Sequence, residues 1–326
     1  MTIVIEGSVS SMTDSKESKD FRTSIGGQAL IEGIMMRGPK KQATVVRTKD
    51  GLVTKTEDLK LLKDKYPIVG VLFIRGVVNF ASSMSNGVRA LMFSADNLPE
   101  EEQEEPSKFD AWLEKRFGSE KAEKAIITFS VVIGIAFSIG LFILLPTFLA
   151  GLVSKYIEIN VLKNLFEGVL RIVIFLLYMW LATRLKDIKR MWAYHGAEHK
   201  TIFCYEKNLP LTTENVRVQS RLHPRCGTSF LFIVMIVSIL VFSLTSWNNV
   251  WVRIGLRLLL LPVVVAISYE IIKLAGRYDN ILTRIISAPG KALQRLTTQE
   301  PDDEMIEVAV EAMKLVIPED ASEAAW

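Results

Sequence analysis

The apolar positions of this chain gather into long uncharged runs. From Ala125 to Ser154 thirty consecutive residues carry no charge, and from Cys226 to Val252 there are twenty-seven more. A bilayer core about 30 Å thick is crossed by ~20 apolar helical residues. Runs of this length predict transmembrane helices and exclude a purely soluble fold. Four spans follow from the pattern, at about 126–153, 165–184, 228–248 and 253–272. The second and fourth each carry an arginine near one end, Arg171 and Arg257, whose long side chains are expected to snorkel to the interface. Taken in order the spans form two hairpins, and the matching arginines suggest a duplication.

Outside the spans the periodicity changes. Residues 1–25 open with a mixture of Ser, Lys, Asp and Glu and read as a disordered tail, not a secretory signal. Two β-branched runs, 43–48 and 52–56, flank Lys49-Asp50-Gly51 and predict a β-hairpin within a small β-rich unit over 26–57. Val77, Phe80, Ala81, Met84, Val88, Leu91 and Met92 recur at helical spacing, which predicts an amphipathic helix on the membrane or against the bundle. Its Arg75 and Arg89 are expected to meet lipid headgroups, and the β unit and this helix together occupy 26–95. An acidic linker follows at 96–108. The membrane domain then runs over 109–296, with a His- and Cys-bearing loop at 184–227. The chain closes at 297–326 with an acidic amphipathic helix, whose Met305, Val308, Ala309, Ala312, Leu315 and Val316 share one face. The predicted fold is mainly α: a polytopic membrane protein with four transmembrane helices in two hairpins, amphipathic helices and a small N-terminal β-hairpin unit.

Charge adds orientation. The stretches 105–124, 184–225 and 273–295 carry five, nine and five Lys and Arg residues, whereas 154–164 and 249–253 carry two and one. Positive loops stay inside, so both termini and the central loop are expected in the cytoplasm. A net charge of +3 without a basic cluster argues against nucleic acid. Two cysteines, Cys204 and Cys226, do not make a disulfide framework.

All three histidines and both cysteines fall between His195 and Cys226. At 100° per residue, Ile188, Met191, Trp192, His195, Glu198, His199, Ile202, Phe203 and Glu206 share an arc of ~140°. Two imidazoles and a carboxylate thus sit inside an apolar stripe, where an unpartnered carboxylate costs several kcal/mol, roughly. A divalent ion, zinc above all, satisfies all three. His195 and His199 stand one turn apart, as a helix chelates one ion, and His-x-x-Glu-His is the inverted zinc-protease string with its glutamate as general base. Catalytic zinc takes three protein ligands. His223 is the first choice for the third and Cys226 the second, while Cys204 lies on the opposite side of the helix. A straight second span would hold His195 above His223, so either the helix bends near Arg184 or the loop after Pro210 climbs back; the apolar stripe on 188–203 supports the bend, with that helix flat on the membrane. Simple packing of the histidine pair and a closed structural site are the competing readings. Glu270 is either a fourth ligand or a partner of Arg184, the latter favoured. Glu32 is open as an acid or ligand, and Arg37 as an anion contact or a salt-bridge partner.

GGQALIEGIMMRGP (26–39), YHGAEHKTIFCYE (194–206), RLHPRCGTSF (221–230), SYEIIKLAGR (268–277) and LTTQEPDDEMIEVA (296–309) resemble the YqhQ-type family of bacterial membrane proteins, over about residues 26–316. That family is described as predicted metal-dependent enzymes of unknown function. The resemblance implies a bacterial plasma-membrane protein with His195, Glu198, His199, His223 and Cys226 as its functional core.

The expectation is a membrane-bound, zinc-dependent hydrolase at the cytoplasmic face. His195, His199 and His223 hold the ion and Glu198 accepts a proton from water. Its substrate is a peptide or lipid-linked bond, its partners are membrane lipids, and assembly with further copies of itself is open. The alternatives are a non-enzymatic scaffold or assembly factor with a structural ion, and a transporter. The last is disfavoured because no acidic residue lies mid-span.

Overall fold

The computed structural model describes residues 21–59, 66–98, 119–245, 249–278 and 280–325. Residues 1–20 of the expected tail and 99–108 of the expected linker lie outside the described residues. Residues 21–25 belong to the folded unit instead. Thr23 bridges Ala325, Ile25 is buried, and the Phe21 ring meets Tyr205 edge-on at 5.6 Å.

Four strands, β1 (Gly26–Leu30), β2 (Gly33–Arg37), β3 (Lys41–Thr48) and β4 (Gly51–Asp58), form an antiparallel sheet in that order. The expected hairpin is β3–β4, closed by the pairing of Thr48 with Gly51, whose φ of +126° suits glycine. The β1–β2 turn places Glu32 at φ +50°. A glutamate there gives no turn signal, so the sequence shows only the second hairpin.

The helices are α1 (Ile74–Asp96), α2 (Ser119–Ile139), α3 (Leu145–Val153), α4 (Asn160–Ala182), α5 (Lys186–Glu206), α6 (Thr213–Arg217), α7 (Gly227–Phe242), α8 (Val250–Arg277), α9 (Ile281–Thr297) and α10 (Asp303–Lys314). A π-helical turn at Gly140–Leu144 joins α2 to α3. Three helical stretches are long and apolar enough to cross a membrane: Thr128–Tyr156, Asn160–Ala182 and Val250–Arg277. The span expected at 228–248 corresponds to α7, an apolar helix of 16 residues. At 1.5 Å per residue α7 is ~24 Å long, less than the ~30 Å hydrocarbon core. Helix length and composition therefore give three candidate spans among the described residues where the sequence predicts four.

Arg171 and Arg257 do not snorkel. Both are buried in the bundle and converge on Glu167 of α4. Arg257 Nη2 donates to Glu167 Oε2 at 2.7 Å, and Thr147 Oγ1 donates to Oε1 at 2.7 Å. The π-helical turn offers the Phe142 carbonyl, which accepts from Arg171 Nε at 2.9 Å. Buried charge persists where it is paired and hydrogen-bonded. Here a carboxylate within reach replaces the interface as the partner.

Both ends of the chain build one core with the central loop. Ile34, Met36 and Val45 of the sheet pack with Tyr194, Ala197 and Ile202 of α5 and with Ile306, Val308 and Met313 of α10. On the other face, Leu30 and Met35 meet Ala90 of α1. The closing helix α10 is amphipathic, and its apolar face lies in this core. The same packing covers α5 beyond its apolar stripe. Ala193, Ala197, Lys200 and Thr201, outside that stripe, are all buried. The bend near Arg184 is present, since α4 ends at Ala182 and α5 begins at Lys186 after an extended Leu185. Arg75 forms a bidentate pair with Glu270 and ties α1 to α8. Arg184 stacks over Trp180 at 4.4 Å, so its expected pairing with Glu270 does not form.

Candidate metal centre

The site begins with a close approach of two segments. A Cβ on Gly196 would stand 2.0 Å from the Gln299 carbonyl oxygen, so only glycine lets residues 297–301 press against α5. Gln299 N donates to Trp192 O at 2.8 Å and fixes that contact. The carbonyl of Thr297 thereby reaches His195 Nδ1 at 2.8 Å, and the carbonyl of Arg221 reaches His199 Nδ1 at 2.6 Å. A carbonyl only accepts, so each Nδ1 carries a proton and Nε2 is the nitrogen left to coordinate an ion, on losing any proton it holds.

Both Nε2 atoms face one place. His195 Nε2 is 3.2 Å from Cys226 Sγ, and the two imidazole rings lie 4.4 Å apart, centre to centre. Cys226 caps the N-terminus of α7, its sulfur accepting from Thr228 N at 3.4 Å. One ring nitrogen of each histidine and the Cys226 sulfur all lie within 4.8 Å of one another. His199 Nε2 is buried there with no hydrogen-bond partner.

The electrostatics match the geometry. Burial pushes the Cys226 thiol up, but the nearby His195 and His199 rings and the His195 hydrogen bond hold it well below its ordinary value. Burial would lower His195, but the charge and hydrogen bond of Cys226, with Glu198 and the Thr297 carbonyl, raise it to about 9. Burial raises Glu198, and the two imidazoles partly offset this. Glu198 Oε1 accepts from Gly27 N at 2.9 Å, where a Cβ on Gly27 would stand 3.1 Å from the Glu198 carboxyl carbon.

These residues fit a divalent ion. Two pre-oriented imidazoles and a thiolate-prone cysteine form a donor set that suits zinc. A metal would also satisfy the orphaned His199 Nε2, which otherwise costs about 1–3 kcal/mol.

The other expected residues lie elsewhere. His223 does not join the group, and Cys226, the second choice, takes the third position. His223 Nδ1 accepts from Arg225 N at 3.4 Å while Nε2 faces Glu206 at 3.5 Å, so both nitrogens have protein neighbours outside the group. Burial brings His223 down to about 4, so the ring is neutral. Burial raises Glu206, but the His223 hydrogen bond and the Arg225 guanidinium outweigh it and hold the carboxyl below its ordinary range. Glu32 accepts from Tyr194 Oη at 3.0 Å and pairs with Arg190, and Glu270 pairs with Arg75, so neither is a ligand. Cys204 is buried in the core, away from the ligand group. The sequence gives no signal for Gly27, or for the carbonyls of Thr297 and Arg221, because backbone groups act there.

The chain matches a family described as Protein of unknown function (DUF1385) over residues 71–319. It belongs to that family. It is also 35% identical over 294 residues to the "Uncharacterized protein YqhQ" of Bacillus subtilis (strain 168), covering 88% of this chain and 90% of that protein. No solved structure matches it. All three candidate ligands and Glu198 lie inside the region shared with DUF1385, whereas Gly27 precedes it.

Proposed function

We propose that this DUF1385 member is a membrane-bound, zinc-dependent hydrolase working where the bilayer meets the cytoplasm. The observation that carries this reading is the buried, partnerless Nε2 of His199 beside His195 and Cys226. His195, His199 and Cys226 would hold the ion, and a set of three protein ligands is the number that catalytic zinc sites use. The ion supplies Lewis-acid chemistry, acidifying water and polarising the bond to be cut. Glu198, anchored by Gly27 N, takes the water proton as the water oxygen bonds to the electrophilic carbon or phosphorus. It then passes that proton to the leaving group. The substrate is a peptide or lipid-linked bond at headgroup depth. In this reading α7 completes a fourth span with the residues after it, and both termini share the cytoplasmic side with the site.

A second reading is favoured by the origin of the ligands. His195 and His199 come from the sheet-bearing unit and Cys226 from the start of α7, so an ion there would staple that unit to the bundle as a structural clamp.

The test compares purified protein with Glu198→Gln on a bacterial lipid extract and a peptide library, with products followed by mass spectrometry and metal content measured in parallel. The hydrolase reading expects a metal-dependent product from the unmodified protein, and loss of at least 100-fold in Glu198→Gln with its metal retained. Equal turnover by Glu198→Gln, or its loss of metal, would contradict the role given to Glu198. Bound metal with no product from either sample would favour the clamp.

A further inference from the structure

The sheet meets a different helix on each face. Ile34 and Met36 pack toward α5, whereas Leu30 and Met35 meet Ala90 of α1. On the α1 side a cavity of about 290 Å³ opens against the β1–β2 ribbon, a volume at the lower end for small-molecule sites. Cross-strand partners share a face, so Gly26 with Arg37 and Gln28 with Met35 lie together in its lining. Ser83 and Asn86, from the polar side of α1, form the opposite wall. A Cβ on Gly87 would stand 2.3 Å from Gln28 Oε1, so the Gln28 side chain lies close against α1 and joins the two walls.

Arg37 is the charge in this lining that the fold does not use. It is half-buried, and among the described residues no hydrogen bond or ion pair engages its side chain. The salt bridge that the sequence leaves open to it does not form among them. Burial lowers its pKa and the Tyr269 phenol partly offsets this, but a guanidinium keeps its proton in a protein. A charge partly withdrawn from water costs free energy until an anion meets it. The Ser83 hydroxyl and the amides of Gln28 and Asn86 share the lining as further donors. A guanidinium fork with neutral donors beside it is the chemistry that receives a phosphate or a carboxylate.

Depth selects the phosphate. α8 holds Tyr269 nineteen residues after Val250, ~29 Å along its axis, about the thickness of a ~30 Å hydrocarbon core. Trp251, at the far end, is 81% exposed, as interfacial tryptophans are. Tyr269 Oη accepts from Asn79 Nδ2 at 2.8 Å, and Asn79, Ser83 and Asn86 follow at helical spacing along α1. The cavity is thus held at the depth of lipid phosphates. It also borders the proposed site. Gly27 lines it, and the Gly27 N–H donates to Glu198 Oε1 at 2.9 Å. β1 is an edge strand, and at Gly27 it has no side chain, so bare backbone separates the cavity from that carboxylate.

We infer that the cavity between α1 and the β1–β2 ribbon seats the phosphate of a membrane phospholipid, gripped by Arg37, and that a phospholipid is the substrate class of the metal centre. The second half of this statement rests on the hydrolase reading, whereas the binding itself does not. The phosphate enters from the leaflet beside α1 and α8, and the bond to be cut lies across the edge of β1, against Glu198. Hydrolysis of an ester of that lipid follows the step already given: water supplies the new bond, and the released alcohol takes the proton from Glu198.

The experiment titrates the full-length protein in detergent by calorimetry with four probes: short-chain phosphatidylglycerol, a diacylglycerol with the same chains, glycerophosphoglycerol, and trialanine with its free carboxylate. Phosphatidylglycerol is expected to bind more tightly than each of the others by about tenfold or more, the weight of a charge-assisted hydrogen bond. Arg37→Gln should weaken it by about tenfold without changing thermal unfolding, and Arg37→Lys should recover part of the affinity. Should Arg37→Gln not fold, Ser83→Ala with Asn86→Ala reads the opposite wall and should weaken binding by about threefold or more. Failure of phosphatidylglycerol to bind, or binding indifferent to these substitutions, overturns the seat. Diacylglycerol or trialanine binding as tightly overturns the phosphate, and glycerophosphoglycerol binding as tightly overturns the lipid. Stripping metal with EDTA should leave the affinity within about twofold, because the seat makes no use of the ion. Loss of binding on stripping would place the lipid on the ion and overturn the seat. Protein that holds no metal yet binds phosphatidylglycerol through Arg37 would remove the hydrolase reading and keep the seat.

Discussion

The carbonyl oxygen of Thr297 lies 2.8 Å from His195 Nδ1, across 102 residues of sequence, and so determines that Nε2 is the nitrogen facing Cys226. A backbone atom sets the tautomer, which makes the Thr297 side chain dispensable. Its Oγ1 is in fact buried without a hydrogen-bond partner. Thr297→Val should therefore retain full metal content and change stability by no more than about 1 kcal/mol, in the stabilising direction. Metal analysis with thermal unfolding in detergent checks this.

Gly196 bears the opposite expectation. Its added Cβ would overlap the Gln299 carbonyl at 2.0 Å, and neither backbone can yield without moving Thr297. Gly196→Ala should destabilise the protein by about 1–3 kcal/mol. It should also weaken metal binding by about 10–100-fold, as loss of an outer-shell hydrogen bond does. A zinc competition titration measures the second effect separately from unfolding.

Gly27 holds Glu198 rather than the ion. Gly27→Ala would bring its Cβ to 2.6 Å from Met35 O as well as against the Glu198 carboxyl group. The expected outcome is retained metal with a loss of turnover approaching that of Glu198→Gln. Loss of metal would instead show that β1 supports the ligands themselves.

Within the bundle, Glu167 is the carboxylate shared by Arg171 and Arg257, and all three are buried. Glu167→Gln leaves two guanidiniums without their counter-charge and should cost about 3–5 kcal/mol. Combining it with Arg257→Met should recover part of that loss. A double-mutant cycle on unfolding in detergent reads the coupling, and strictly additive effects would contradict the pairing.

Periodicity carried much of this architecture. The apolar runs mark the membrane helices, Asp50-Gly51 marks the β3–β4 hairpin, and His195, Glu198 and His199 stand out because a helical period places them together on a greasy face. What the sequence could not show depends on contacts distant along the chain. Glu167 lies in the span that also holds Arg171, yet nothing local says that Arg257, 90 residues later, turns inward to meet it. The side of α5 opposite its apolar stripe gave no sign of being covered, because the covering helix, α10, is a hundred residues away. His223 outranked Cys226 as third ligand on residue type alone. By proximity that order is reversed: Cys226 sits at the start of α7 with its sulfur toward His195, while His223 faces Arg225 and Glu206.

That reversal supplies the most direct test of the centre. Metal content per chain is to be measured by plasma mass spectrometry on protein purified without chelators, for the unmodified chain and for His199→Ala, Cys226→Ser and His223→Ala. The account predicts about one zinc per chain in the unmodified protein and in His223→Ala, and loss of most of it in the other two, as expected when one of three ligands is removed. Unmodified protein without metal, or zinc retained by Cys226→Ser and lost from His223→Ala, would contradict it.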